Sequence, residues 1–209
     1  MKAYEINEAL ARKVLSVVDA GLVNGMGLAA PGHMCVEAAV CYALGIAHSD
    51  EPPCVGAAVR RFKINLNDSQ WSSDAARTKG MRLLAIAQLG SDTIDQRAFA
   101  DMVIVGVVRR ILPIALQAAA ERAKEPHKAA LLGAIPACEA VTTRAEARQA
   151  SLAVRKAAAA YAAADAAAAA DSDADAARDR VLNLAAEIGL DALKALNSPG
   201  CAYLYLAEA

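Results

Sequence analysis

Reactive side chains are concentrated between residues 31 and 54. The stretch PGHMCVEAAVCYALGIAHSDEPPC contains three of the five cysteines, two of the three histidines, and a glutamate with apolar neighbours. Thiols, imidazoles and carboxylates are the groups of nucleophilic catalysis and of zinc binding. This window is therefore where the sequence first points to chemistry.

A helix predicted over residues 34–47 would bring three of these side chains, together with one leucine, onto one stripe, because residues three or four apart are neighbours on a helix. His33 would extend the stripe by one turn if the helix began early enough. Cys35 would lie at the helix N-terminus, where the helix dipole lowers a thiol pKa and favours the thiolate. The stripe consists of Glu37, Cys41, Leu44 and His48.

Two chemical interpretations follow from this window. With His33 or His48 as base, Cys35 is a candidate nucleophile, but no third group is evident to orient the base. Donors for zinc are plentiful, yet there is no CxxC pair, and Cys35 and Cys41 fall on different helix faces. The sequence therefore predicts no catalytic residue, metal or cofactor. A Cys/His or metal-assisted hydrolase centred on Cys35 and Glu37 is kept as an alternative.

The cysteines are also typical of a helical core, because free cysteine behaves as a small hydrophobic residue. Glu37 is different, since a buried carboxylate without a partner is costly. A basic side chain from the next predicted helix would resolve that cost, either through an ion pair in the core or around a polar pocket. The candidates are Arg60, Arg61 and Lys63.

The segment RRFKINLNDSQWSSDAARTKG, residues 60–80, favours the pocket. A polar loop followed by a capped helix offers backbone N–H groups to an anion, and Trp71 could stack on a base or pack the loop onto the core. No glycine-rich run precedes Lys79, so this is not a P-loop. The predicted ligand-binding residues are His33, Glu37, His48, Arg60, Arg61, Lys63, Asn67, Trp71 and Arg77.

The elements that must position these residues are all predicted to be helices. Apolar residues recur at helical spacing, and even IVGVV at residues 104–108, the best candidate for a strand, is embedded in that spacing. The sequence predicts an all-α fold, a compact bundle of about eight helices with a long Ala-rich C-terminal helical pair. Helices are expected over residues 34–47, 95–111 and 143–169, with a loop at 65–70 and Pro113 kinking or dividing its segment.

The whole chain, residues 1–209, is predicted to be a single helical domain. Residues 1–125 would form the functional helical core. Residues 126–209 would form an Ala-rich helical hairpin that packs on the core or mediates oligomerisation, since alanine favours helix and lets helix axes approach closely.

Composition limits the classes of partner. The net charge of −1 gives no global field that would favour nucleic acid or acidic membranes. No uninterrupted apolar run is long enough to span a bilayer, and five cysteines without small-scaffold spacing indicate reduced thiols. The expected setting is the cytoplasm, with no membrane association and with nucleic acid disfavoured as a partner.

The block PGHMCVEAAVCYALG, followed by KINLNDSQWSSDAARTKGMRLLAIAQLGS, resembles uncharacterised all-helical proteins of bacteria and phages. The tail AAAAYAAADAAAAADSDADAARDRVLNLAAE resembles the Ala-rich repeats of immunity-type proteins. The resemblance implies an all-helical protein of bacterial conflict systems, such as an inhibitor, immunity or ligand-sequestering protein. It implies no catalytic residues.

The leading hypothesis is a non-enzymatic binding protein that uses residues 31–80 to bind a partner protein or a small anionic ligand. The hydrolase described above is the first alternative. A structural assembly subunit is the second, with the Ala-rich helices as a homo-oligomer interface.

Overall fold

The computed structural model describes residues 4–162 and 174–208. Within those ranges the regular secondary structure is helical, and β-pairing is limited to isolated β-bridges. The predicted all-α fold is confirmed for these residues. None of the described helices is long and apolar enough to cross a lipid bilayer. Among the described residues, the α-helices are α1 (Glu8–Asp19), α2 (Val36–Leu44), α3 (Ala57–Asn67), α4 (Asp74–Ala87), α5 (Gln96–Gly106), α6 (Leu112–Arg122), α7 (His127–Glu139), α8 (Arg144–Ala162), α9 (Ala174–Ala195) and α10 (Tyr205–Glu208).

The chain divides into two compact units. The first contains Met1–Ala100 together with Ala174–Ala209, and the second contains Asp101–Asp173. The two Ala-rich C-terminal helices therefore belong to different units. Helix α8 packs on α7 in the second unit, whereas α9 packs on α4 and α3 in the first. Packing of α8 against α9 stays a prediction, and residues 163–169 of the predicted long helix lie outside the described residues.

In the first unit, α1 packs on α2 and α4 through an apolar face. Asn7 begins α1 by accepting a hydrogen bond from the Leu10 N–H, and Ser73 does the same for α4 through the Ala76 N–H. Val14 and Val18 are fully buried on the inner face of α1, and Leu84 and Ile86 are buried on α4. The resulting core is aliphatic and packs against α2.

Trp71 lies at the contact between α4 and α9. A Cβ atom on Gly80 would come within 2.3 Å of the Trp71 ring and 2.9 Å of Asn183 Oδ1, so only glycine lets the helices approach this closely. At the same end, the Asp179 carboxylate accepts hydrogen bonds from both the N–H and the hydroxyl of Ser72. Asp179 therefore joins α9 to the segment that leads into α4.

In the second unit, the structure shows whether Pro113 kinks or divides its helical segment. Val107–Ile111 is π-helical, and Leu112 N–H donates to Val107 O, five residues earlier. Proline has no N–H and cannot form the α-helical bond to the carbonyl four residues before it. The wider π turn therefore carries the chain past Pro113 from α5 into α6 without a break. Around this element lies an apolar core of Val108, Leu116, Leu131, Cys138, Val141 and Val154.

Two element boundaries near the candidate site differ from the predicted ones. Helix α2 covers Val36–Leu44 and not residues 34–47, because Gly45 adopts φ +71 and ends it. Helix α3 continues to Asn67, into the segment predicted to be a loop. His48 therefore lies beyond α2 and does not belong to the predicted stripe.

Candidate functional site

Helices α2 and α3 are joined by a buried ion pair. Glu37 lies in the first turn of α2 and Lys63 lies in the middle of α3, and both side chains have no solvent exposure. Lys63 Nζ is 3.5 Å from Glu37 Oε1, and neither carboxylate oxygen has a hydrogen-bond partner. Of the three basic candidates, Lys63 is thus the one that lies against Glu37, while both groups keep unused hydrogen-bonding capacity.

Burial changes the titration of both partners. It raises the pKa of Glu37 from its ordinary 4.5 to about 7, against the opposing effect of Lys63. It also lowers the pKa of Lys63, against the opposing effect of Glu37. The low local dielectric disfavours the charged form of each group, so Glu37 changes its protonation state close to neutral pH.

A small cavity lies at the N-terminus of α2, beside Glu37. Its volume of about 20 Å³ is sufficient for one water-sized group. The outer wall includes Met26, which is 44% exposed. The cavity is lined by Gly25, Met26, Cys35, Val36, Glu37, Asp50, Ile64, Asn67 and Asp68.

A larger open cleft of about 350 Å³ runs along the outer side of α3. Arg60 Nη1 is 3.0 Å from Glu51 Oε1 across this cleft, so part of its positive charge is already compensated. Arg61 is exposed at its edge. Asp50 and Ile64 line both the cleft and the cavity, so the two adjoin. The cleft lining is Asp50, Glu51, Ala57, Arg60, Arg61, Ile64 and Asn65.

Three of the predicted ligand-binding residues instead form hydrogen bonds within the fold. Asn67 is fully buried: its Nδ2 donates to Val23 O at 2.9 Å, and its Oδ1 accepts from Val36 N at 3.4 Å. Arg77 Nε donates to Asn67 O at 2.8 Å. Trp71 is 5% exposed, and its Nε1 donates to Leu66 O at 2.9 Å. The Trp71 ring thus packs in the interior and is not presented for stacking on a base.

The two histidines of the window are separated by their environments. His33 is exposed on the loop before α2. His48 Nε2 is 3.1 Å from Gly27 O, while its Nδ1 is buried without a partner. Since the Gly27 carbonyl can only accept, the Nε2 position carries the hydrogen. His48 therefore fastens the 22–34 loop to the segment that follows α2.

Cys35 has the position predicted for it, but not the lowered thiol pKa considered for that position. It is the N-cap of α2, and its Sγ accepts from the Ala38 N–H at 3.4 Å. Because the thiol is buried, its pKa is raised and not lowered, so desolvation outweighs the helix dipole. Within residues 4–162 and 174–208, no group of three or more His, Cys, Asp or Glu side chains could hold a metal ion.

An apolar surface beside the cavity was not anticipated from the sequence. Gly27 makes the loop possible, since it has φ +69 and a Cβ atom there would lie 2.1 Å from His33 O. Its neighbours Met26 and Leu28 point outward, and the His48 contact holds this loop beside the end of α2. The apolar patch consists of Met26, Leu28, Tyr42 and Ile46, which are 44, 71, 42 and 44% exposed.

Comparison with known proteins returned no match to this chain among protein-family models, curated proteins or solved structures. The resemblance to helical proteins of bacterial conflict systems therefore stays a prediction.

Proposed function

We propose that this protein is a non-enzymatic binding protein that binds a partner protein through the apolar patch. The observation that carries the proposal is the grouping of four large exposed hydrophobic side chains, Met26, Leu28, Tyr42 and Ile46, within 21 residues of a loop and helix fastened together. Exposed apolar patches mark interaction sites, and these four side chains would form such a patch.

The surroundings of the patch fit the usual composition of a protein interface. Tyrosine, methionine and arginine are enriched at interfaces, and a charged rim commonly surrounds the apolar centre. Here the adjoining cleft supplies charges of both signs from Arg60, Arg61, Asp50 and Glu51. A partner with an apolar cluster edged by mixed charges would complement this surface.

A small anionic ligand in the cleft is a second candidate, supported by Arg61 and by the N-terminus of α3. Helix α3 begins at Ala57, which lines the cleft, but the Ala58 N–H already donates to Gln96 Oε1. However, Asp50 and Glu51 line the same cleft and offset the two arginines. The charge balance therefore favours the protein partner.

Site-specific photo-cross-linking tests the proposal. Leu28 or Ile46 is replaced by p-benzoylphenylalanine in the cells that produce the protein, and Leu152, which is 54% exposed in the second unit, is replaced as the matched control. We expect one discrete heterologous adduct from positions 28 and 46 and none from 152, because residues at the centre of an interface are shielded from other encounters.

A Leu28→Ser/Ile46→Ser variant should weaken binding of the cross-linked partner by at least about tenfold, the effect of losing one interface hot spot. Leu152→Ser should leave the affinity unchanged. Adducts that form equally from all three positions, or whose mass is twice that of the chain, would contradict a dedicated partner-binding surface.

A further inference from the structure

Asn24 and Gly25 form the only Asn-Gly pair in the chain. They lie in the loop that carries Met26 and Leu28 of the apolar patch, and Asn24 is exposed. Asparagine is among the thermally labile residues, because the backbone nitrogen of the next residue can attack its carboxamide. Glycine allows that attack most readily, since it has no Cβ atom to obstruct a close approach. A reactive pair therefore lies within the proposed binding surface.

The surroundings of Gly25 leave room for this reaction. Gly25 has φ +69, and an added Cβ atom would meet nothing within 4 Å. Both residues of the pair lie outside the helices, so their backbone is not held in a helical ladder. Asn65 differs, although it is also exposed: it lies within α3, and the branched side chain of Leu66 follows it. Asn65 is thus an internal comparison for the reactivity of Asn24.

Asp68 binds both groups that would react. Asn24 Nδ2 donates to Asp68 O at 3.2 Å, and the Gly25 N–H donates to Asp68 Oδ1 at 2.9 Å. Because a backbone carbonyl can only accept, the NH2 end of the Asn24 carboxamide is the end that faces Asp68. Asp68 Oδ1 also accepts from Asn67 Nδ2 at 3.0 Å. These hydrogen bonds fasten the start of the loop to the residue that follows α3.

We propose that Asn24 is a site of spontaneous deamidation, and that its conversion to aspartate or isoaspartate releases this part of the loop from Asp68. The Gly25 nitrogen forms a bond to Asn24 Cγ, the Cγ–Nδ2 bond breaks, and the NH2 group leaves as ammonia with the proton that the nitrogen loses. Water then opens the resulting five-membered imide. Cleavage of the new N–Cγ bond gives aspartate, whereas cleavage of the original peptide bond gives isoaspartate.

The atom lost in this reaction is the atom that binds Asp68. Nδ2 is a donor, whereas the carboxylate that replaces it can only accept, so the bond to Asp68 O cannot form again. The new negative charge also lies near the Asp68 carboxylate, which repels it. In isoaspartate the backbone gains one methylene group, which displaces the Gly25 N–H from Asp68 Oδ1. Both products therefore weaken this attachment of the loop.

The consequence for partner binding rests on the proposed function. Met26 directly follows the reactive pair, whereas Gly27 is still held by His48. Met26 would lose its fixed position, and ordering it again would add to the cost of binding. Deamidation would therefore lower the affinity for the partner as the protein ages, by up to about tenfold, the effect of losing one hydrogen bond to a charged group.

The reaction itself is tested on the purified protein alone, incubated at pH 8 for two weeks and mapped by peptide mass spectrometry. We expect the peptide containing Asn24 to gain the mass of replacing NH2 by OH, and the peptide containing Asn65 to stay unchanged. Gly25→Ala should slow the conversion about tenfold, the effect of a modest rise in the barrier. Gly45→Ala is the matched control for backbone strain, because Gly45 has φ +71 and equally open surroundings; it should leave the rate unchanged.

Asn24→Asp reproduces one product and tests the release of the loop. Hydrogen exchange of the Gly25 amide, followed by NMR, should become about tenfold faster. Asn65→Asp adds the same charge on α3 and should leave that amide unchanged. An unmodified Asn24 after incubation, or equal exchange of the Gly25 amide in the two variants, would overturn the inference. Cross-linking from positions 28 and 46 of freshly prepared protein depends on neither result, so the two proposals fail separately.

Discussion

Lys63→Met is expected to lower the free energy of unfolding by about 3 to 5 kcal/mol at pH 8, the usual loss when one partner of a buried ion pair is removed. Methionine replaces the aliphatic stem of Lys63, so the loss comes from leaving the Glu37 carboxylate without its cation. Urea unfolding followed by the fluorescence of Trp71, the only tryptophan and a buried one, reports this in the first unit.

The matched control is Arg60→Met, which breaks the partly exposed pair with Glu51 on the same helix and should cost less than about 1 kcal/mol. The double variant Glu37→Gln/Lys63→Met should recover most of the loss, because it removes both charges together. Equal small losses in Lys63→Met and Arg60→Met would show that the buried pair does not join α2 to α3.

The same pair predicts a pH dependence of stability. The pKa of Glu37 is raised from 4.5 to about 7 in the folded protein, so its stabilising contribution is present below pH 4.5 and is lost as the pH rises through 7. Relative to Glu37→Gln, the wild-type protein should lose up to about 3 kcal/mol across this range. For Lys63→Met, the loss should be smaller at pH 6 than at pH 8, because a protonated Glu37 needs no cation.

Gly200→Ala is expected to destabilise the first unit by about 2 to 3 kcal/mol, at the upper end of the range for overpacking. A Cβ atom at this position would lie 2.0 Å from Ile86 O and 2.9 Å from Leu89 N. Both are backbone atoms and cannot move aside as a side chain can. The substitution would also displace the Gly200 N–H from Leu89 O, where it now donates at 2.7 Å.

Gly133→Ala is the comparison for this substitution. Gly133 lies within α7, and an added Cβ atom there would meet nothing within 4 Å. Alanine should therefore stabilise that helix by up to about 1 kcal/mol. Thermal unfolding by circular dichroism measures both variants. A Gly200→Ala protein as stable as the wild type would contradict the close docking of the C-terminal turn on α4.

The fold class could be predicted because helical periodicity, capping residues and the lack of alternating β-branched runs agree along most of the chain. The end of α2 was misplaced because Ile46 and Ala47 continue an apolar pattern that Gly45 interrupts only through its left-handed backbone. Likewise, asparagine is typical of loops, but the Asn67 side chain forms three hydrogen bonds, two with backbone groups and one with Asp68.

The candidate site was predictable in part. A buried carboxylate requires a cation, so a partner for Glu37 in the next helix followed from sequence, although the choice of Lys63 over Arg60 and Arg61 did not. The apolar patch was missed because Met26 and Leu28 lie in a Gly-rich segment whose path depends on the distant contact between His48 and Gly27. Single exposed apolar residues carry little signal until the fold groups them.

Hydrogen exchange tests the central claim, partner binding at the apolar patch, most directly. Exchange is compared between the free protein and its non-covalent complex with the partner that cross-linking identifies. We predict slowed exchange in residues 24–34 and 42–51, with unchanged exchange in residues 144–155 of α8. Protection confined to α8, or no protection around Leu28 and Ile46, would contradict the claim.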